Sequence, residues 1–157
     1  MRLRVSLGFA AALCVACAAV LAADNYLGTW KLNPAKSKYN PGPPSTSGEV
    51  RNEAWGPDGV KVTVDTVDGD GTKRHWTYSA KFDGKDYPVT GRPDVDTMML
   101  KRIDANTVEA TAKKGSTVIQ TVRSTVSADG KTRTSTVKGK NAQGQNIDHV
   151  LLYERAK

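Results

Sequence analysis

Cysteine is confined to the first residues of this sequence. Cys14 and Cys17 are the only two in the chain, and from Ala18 onward there is none. That excludes a disulfide framework and a zinc site built on thiolates from the remainder. Histidine is as scarce, with His75 and His149 alone, and no Ser sits in a Gly-x-Ser-x-Gly turn. No catalytic triad or metal-ligand constellation stands out, so neither an enzyme activity nor a cofactor is assigned. Long apolar runs are missing too, apart from Leu7 to Leu21, which is short for a membrane span. No later segment keeps a 3.6-residue apolar period, so helices should be few. No run of five or more Lys and Arg occurs, which removes the clustered basic face that nucleic-acid binding asks for.

What is present begins with a leader. Arg2 and Arg4 supply a basic start, Leu7 to Leu21 an apolar stretch, and Leu21-Ala22-Ala23 a small-residue cleavage site before Asp24. Residues 1–23 are therefore expected to be a signal peptide and residues 24–157 one exported domain, periplasmic or extracellular. Two alternatives stand beside this: an uncleaved anchor, or lipid attachment at Cys17 after Val15-Ala16. The net charge of +7 falls to +5 once Arg2 and Arg4 leave with the leader. The remaining charges alternate in sign, as on a solvated surface. The oligomeric state is left open.

From Gly48 onward, turns and Thr/Val-rich runs alternate. Gly56-Pro57-Asp58-Gly59, Asp68-Gly69-Asp70-Gly71, Asp83-Gly84, Asp104-Ala105-Asn106, Lys114-Gly115, Asp129-Gly130 and Gln143-Gly144 are turn signals. Between them apolar residues recur with period two. Val60, Val62 and Val64 share one face. So do Trp76, Tyr78, Ala80 and Phe82; Val108, Ala110 and Ala112; and Val118, Gln120, Val122, Ser124 and Val126. Closely spaced hairpins favour a meander, and nine or ten strands with one apolar face each suit a closed sheet. The expected fold is all-β: a single antiparallel up-and-down β-barrel of about 9–10 strands. Asn33 to Gly48, with Pro34, Pro41, Pro43 and Pro44, reads as a loop, one helical turn capped by Asn33 included; it is either a lid over one mouth or a plain connector.

Gly28-Thr29-Trp30 opens the domain. Gly there leaves room for another backbone or a bulky ring to approach closely, and Trp30 offers a plug for one end of the core. The order Gly-x-Trp, long loop, then many short strands resembles the lipocalin and fatty-acid-binding barrels. Gly28 to Tyr39, Asp83-Gly84-Lys85-Asp86-Tyr87-Pro88-Val89-Thr90-Gly91 and Leu100 to Thr107 resemble, more narrowly, uncharacterised bacterial secreted proteins with a lipocalin-like domain. The resemblance implies a calycin-type barrel and a habit of binding small apolar molecules. It also implies an Arg late in the chain packed across the first-strand Trp, for which Arg155 is the candidate and Arg123 the reserve.

Candidate ligand-binding residues are then the large side chains expected inside: Trp30, Trp76, Tyr78, Tyr87, Met99 and Tyr153, with His149 and Arg155. Met98 and Met99 cannot both point inward. His149 shares a face with Ile147, Leu151 and Tyr153, whereas His75 should face solvent. Asp65 to Gly71 lacks the downstream Glu of a calcium loop and reads as a hairpin. The leading expectation is a protein that holds a small, mostly apolar ligand in its barrel. The alternatives are a solid-cored barrel acting through surface contacts, and a haem-binding barrel or enzyme using His149.

Overall fold

The computed structural model describes residues 24–141 and 143–157; the expected leader, with Cys14 and Cys17, lies outside them. Ten strands follow one another: β1 (Gly28–Leu32), β2 (Ser47–Trp55), β3 (Gly59–Val67), β4 (Lys73–Lys81), β5 (Asp83–Thr90), β6 (Thr97–Arg102), β7 (Thr107–Lys114), β8 (Thr117–Val126), β9 (Thr132–Lys140) and β10 (Asn146–Arg155). Each pairs antiparallel with the next, and β1 also pairs with β10, which closes the barrel. The all-β, up-and-down barrel read from the hairpin rhythm is what the chain forms. Most turn signals fall between strands. Asp83-Gly84 is an exception: the chain bends at Phe82, and Gly84 enters β5 with φ +73° where the register shifts between Asp83 and Asp86.

Closure turns alternate side chains onto one axis. Val60, Val62, Val64, Tyr78, Ala80, Met98, Leu100, Val108, Ala110, Ala112 and Val126 are all buried there. The expected phase of β8 fails at its start. Register shifts between Ala112 and Lys113, so Val118 pairs with Lys113 while Gln120 pairs with Ala112. This bulge leaves Val118 53% exposed, and Ile119 packs toward the core instead.

The closed end is built around Trp30, which is wholly buried. Its indole N–H donates to the carbonyl of Tyr26 at 3.2 Å. Arg155 is its cross-strand partner, with the guanidinium 4.2 Å from the ring centroid. Arg155 also donates to the carbonyls of Gly130 (2.6 Å), Leu27 (2.7 Å) and Asn25 (2.7 Å). Planar fork geometry lets one side chain stack on the indole and hold three chain segments together. The glycine of Gly-x-Trp serves this arrangement. Gly28 has φ +118°, and the space a Cβ would take is filled by the Arg155 guanidinium. Arg102 lies over Phe82 at 4.2 Å and pairs with Asp24 at 2.6 Å, covering the same end.

The sheet is loosest between β4 and β5, which share only the pairs Thr77–Thr90 and Tyr78–Val89. The long loop begins with a short 3₁₀ turn (Pro34–Lys36), whose first residues are capped by Asn33 Oδ1 accepting from the Lys36 N–H at 3.1 Å. It then runs beside β10. The Lys38 N–H donates to Val150 O (2.7 Å), the Val150 N–H to Lys38 O (2.9 Å) and the Asp148 N–H to Asn40 O (2.7 Å). Pro43 and Pro44 come to rest against Gly69 in the β3–β4 turn. Residues 38–45 therefore span the mouth as a strap, the lid option of the two held open above.

Candidate functional site

The barrel axis is not filled. A cavity of about 200 Å³ lies among Val50, Val62 and Val64 on one side, Met98, Ala110 and Ala112 on another, and Leu151 and Tyr153 on a third. Trp76 and Tyr78 stack along its wall, ring centroids 5.8 Å apart and 14° from parallel. Hollows of about 670 and 700 Å³ exist elsewhere, but they are open surface clefts bordered by charged side chains. The inner cavity is smaller, yet it joins converging apolar side chains to a buried charge, which those two clefts do not.

That charge is Arg133. β9 places Arg133, Ser135 and Val137 on the inner face, and Arg133 is only 4% exposed. Its guanidinium sits 4.6 Å from the Tyr153 ring centroid, 5.4 Å from that of Trp30 and 5.9 Å from that of Tyr26. Ion pairs among the described residues engage Arg51, Arg74, Arg92, Arg102 and Arg123, not Arg133. Its Nε has no hydrogen-bond partner among the described residues. The neighbouring phenols do not neutralise it. Burial raises the pKa of Tyr26 and Tyr153 and raises that of Tyr78 well above the ordinary value, so all three stay protonated. Stacking on aromatic faces offsets part of the cost of burying a cation, but ring quadrupoles are weak beside a carboxylate. Polar support nearby comes from Ser124 and Ser135, whose hydroxyls meet at 2.8 Å.

The upper rim of the cavity is a polar gate. Arg92 lies 5.3 Å over the Trp76 ring and donates to Gln120 Oε1 at 2.6 Å. It also forks onto Asp94 at 3.2 and 3.1 Å. Burial pushes the Asp94 carboxyl up, but the hydrogen bonds and charge of Arg92 outweigh that and hold it below its ordinary value. Gln120 completes the chain by donating to Lys140 O at 3.0 Å. Beyond the rim is a second hollow of about 410 Å³, a vestibule that shares Gln120, Val137 and Leu151 with the inner cavity and is roofed by Tyr39, Pro41 and Pro43 of the strap.

The sequence-expected residues divide between these places. Trp76, Tyr78 and Tyr153 line the inner cavity. Trp30 is packed into the closed end without bordering the cavity, and Arg155 lies beyond it, filling the role of the late Arg across the first-strand Trp. Met99 points the other way. Period two puts Met98 and Leu100 inside, at 2% and 0% exposure, and Met98 is the methionine of the wall. Tyr87 pairs with Met98 on the inward register but stays outside the cavity, half-buried, edge-on to Trp55 at 6.2 Å and donating to Asp83 Oδ2 at 3.0 Å. His149 stands in the vestibule, half-buried, its Nδ1 accepting from the Asn40 N–H at 3.0 Å. Burial lowers its pKa, opposed by Asp148. Among the described residues no three His, Cys, Asp or Glu side chains gather as a metal centre would need.

Arg133, Arg92 and Gln120 were not among the expected site residues. β9 reads Thr-Arg-Thr-Ser-Thr-Val, with Val137 the one apolar residue to set its phase. Counting back in twos from Val137 would have put Ser135 and Arg133 inside.

No protein-family model matches the chain, and no curated protein does. Solved structures do. Wild-type fluorescent protein UnaG superposes with a TM-score of 0.56 at 15% identity, covering 83% of this chain and 97% of that one. A point mutant of UnaG superposes with a TM-score of 0.57 at 15% identity, covering 85% and 97%. At such identity the likeness is one of fold: a closed antiparallel barrel of the fatty-acid-binding type.

Proposed function

We propose that the protein is an exported binding protein, and that it holds a small, mostly apolar ligand with one anionic group inside the barrel. The observation that carries this is Arg133: a buried arginine whose Nε has no partner among the described residues, at the wall of a mostly apolar cavity. A carboxylate arriving there gains a desolvated, hydrogen-bonded partner, while its apolar part covers Trp76, Tyr78 and Met98. The cavity of about 200 Å³ is below the usual ~300–1,000 Å³ of ligand sites. The ligand is therefore compact, or its tail passes the Arg92–Gln120 rim into the vestibule. Export is supported by the basic start, apolar stretch and small-residue cleavage site of residues 1–23.

The test is a paired titration of the mature chain with decanoate and 1-decanol, two probes that differ in the anionic end. Decanoate should bind at least about tenfold more tightly, a difference of ~1.4 kcal/mol expected of one charge-assisted contact. Equal affinities would remove the anionic part of the reading, and no binding of either would remove the ligand.

A further inference from the structure

We propose that His149 is a pH-sensitive latch for the strap: with a neutral ring it holds residues 38–45 over the vestibule, and on protonation it lets them go. What the latch regulates, passage to the inner cavity, rests on the binding reading above; the latch itself stands on one hydrogen bond. The Asn40 N–H donates to His149 Nδ1 at 3.0 Å. Accepting there requires a lone pair on Nδ1, so the ring is neutral with its proton on Nε2. A protonated ring carries hydrogen on both nitrogens and turns a donor toward a donor. That fault falls in the middle of the strap's attachment. Asn40 O accepts from the Asp148 N–H at 2.7 Å, Lys38 exchanges two bonds with Val150, and the Tyr39 ring packs on the imidazole at 5.2 Å. On its far side the strap meets the β3–β4 turn through Pro43 and Pro44 against Gly69, and just past it Thr46 donates its N–H (2.8 Å) and its hydroxyl (3.2 Å) to Val67 O at the end of β3.

The charged groups around the ring are few. On its own strand Asp148 favours protonation, but it is also drawn to Lys138 at 3.7 Å. The strap contributes Lys38 and Tyr39, and burial raises the Tyr39 phenol out of the range in question. Across the vestibule the β3–β4 turn contributes Asp68 and Asp70, and the start of β4 contributes Arg74, which pairs with Asp68. Between about pH 5 and 7.5 imidazole is the side chain that changes charge. Burial is the leading influence on His149 and lowers its pKa. The strap is then fully held above the ordinary histidine value of about 6.5, and its hold is lost as pH falls below that toward the depressed folded value.

The experiment is amide hydrogen exchange of the mature chain, followed residue by residue by NMR at about pH 5 and 7.5, each rate divided by its intrinsic value. Protection of Asn40, Asp148 and Lys38 should fall about tenfold or more at the lower pH, as loss of a partly buried hydrogen bond implies, while Ala110 and Val122 in the barrel wall do not change. His149→Asn, which offers an amide oxygen near the Nδ1 position without titrating, should keep the strap protected at both pH values. His149→Ala should leave it unprotected at both. In the unmodified protein the Asn40 amide shift and the His149 ring shifts should share one midpoint, a readout that needs no variant to fold. His75, paired with Asp65 on the outer wall, is present in wild type and variant alike, so its contribution cancels. Strap amides equally protected at both pH values, or lost in His149→Asn in step with wild type, would overturn the latch. Exchange needs no ligand, so failure of decanoate to bind would sink the binding reading and leave this result standing.

Discussion

Replacing Arg133 with methionine should make the empty barrel more stable and, at the same time, a poorer receptor for anions. Methionine keeps much of the length and apolar contact of the arginine stem and removes the charge. Arg133 is 4% exposed, has no carboxylate partner among the described residues, and its guanidinium is faced by three rings at 4.6, 5.4 and 5.9 Å. Burying an unpaired ion costs several kcal/mol even after relaxation. Each ring contact returns roughly 0.5–2 kcal/mol, least at the longest distance. The balance left for methionine to recover is about 1–3 kcal/mol. Urea unfolding of wild type and variant, with equal slopes of about 2 kcal/mol/M, should then show the midpoint of the variant raised by roughly 0.5–1.5 M. The decanoate preference over decanol should disappear in the same variant, with decanol binding no weaker than before. A variant that keeps its slope but loses more than about 1 kcal/mol would refute the reasoning. It would mean that the stack on Trp30, Tyr26 and Tyr153 holds the charge better than its missing partners cost, and Arg133 would then belong to the structure and not to a ligand.

Three further outcomes follow from the same geometry. Trp30→Ala should cost about 3–5 kcal/mol in urea unfolding, because a fully buried indole leaves a void at the closed end and strands the Arg155 guanidinium above it. Gly28→Ala should cost on the order of 2 kcal/mol or more, since φ +118° strains any Cβ and the guanidinium of Arg155 must move; Arg155→Ala combined with it should relieve only the second cause, so a double-mutant cycle will show coupling and a residue of strain. Ser124→Ala and Ser135→Ala should each cost about 1–2 kcal/mol by orphaning a buried hydroxyl, whereas the double variant should lie near wild type, which thermal or urea unfolding of the four proteins can check.

How far the site was legible follows from how strongly each strand marks its own phase. β3, β4 and β7 carry three or more apolar residues two apart, so Val60, Val62, Val64, Tyr78 and Ala110 were placed inside correctly from spacing alone. β6 presents Met-Met-Leu, in which composition cannot choose between Met98 and Met99; only the pairing with β7, Met98 opposite Ala112 and Met99 opposite Thr111, makes the choice. β9 is almost wholly polar, and a polar strand hides its phase. The buried arginine was missed there for that reason. His149 shares the face of Leu151 and Tyr153 but stands in the vestibule, because depth along a strand depends on where the barrel's mouth and strap fall.

By itself the sequence determined the class of fold. Turn pairs at short intervals force neighbours to pair, and alternation with one apolar face forces the sheet to close on that face; both are local rules, readable a few residues at a time. Gly28 beside Trp30 likewise announced a close approach before the approaching group was known. Only the tertiary structure decided that this group is the guanidinium of Arg155, that Arg133 is left inside without a counter-charge among the described residues, and that Asn40 reaches His149 across 109 positions of sequence. Those are meetings between strands far apart in the chain. Their energies depend on which side chains share a depth in the closed ring, and depth is fixed by shear and register of the whole sheet, which no single stretch of sequence contains.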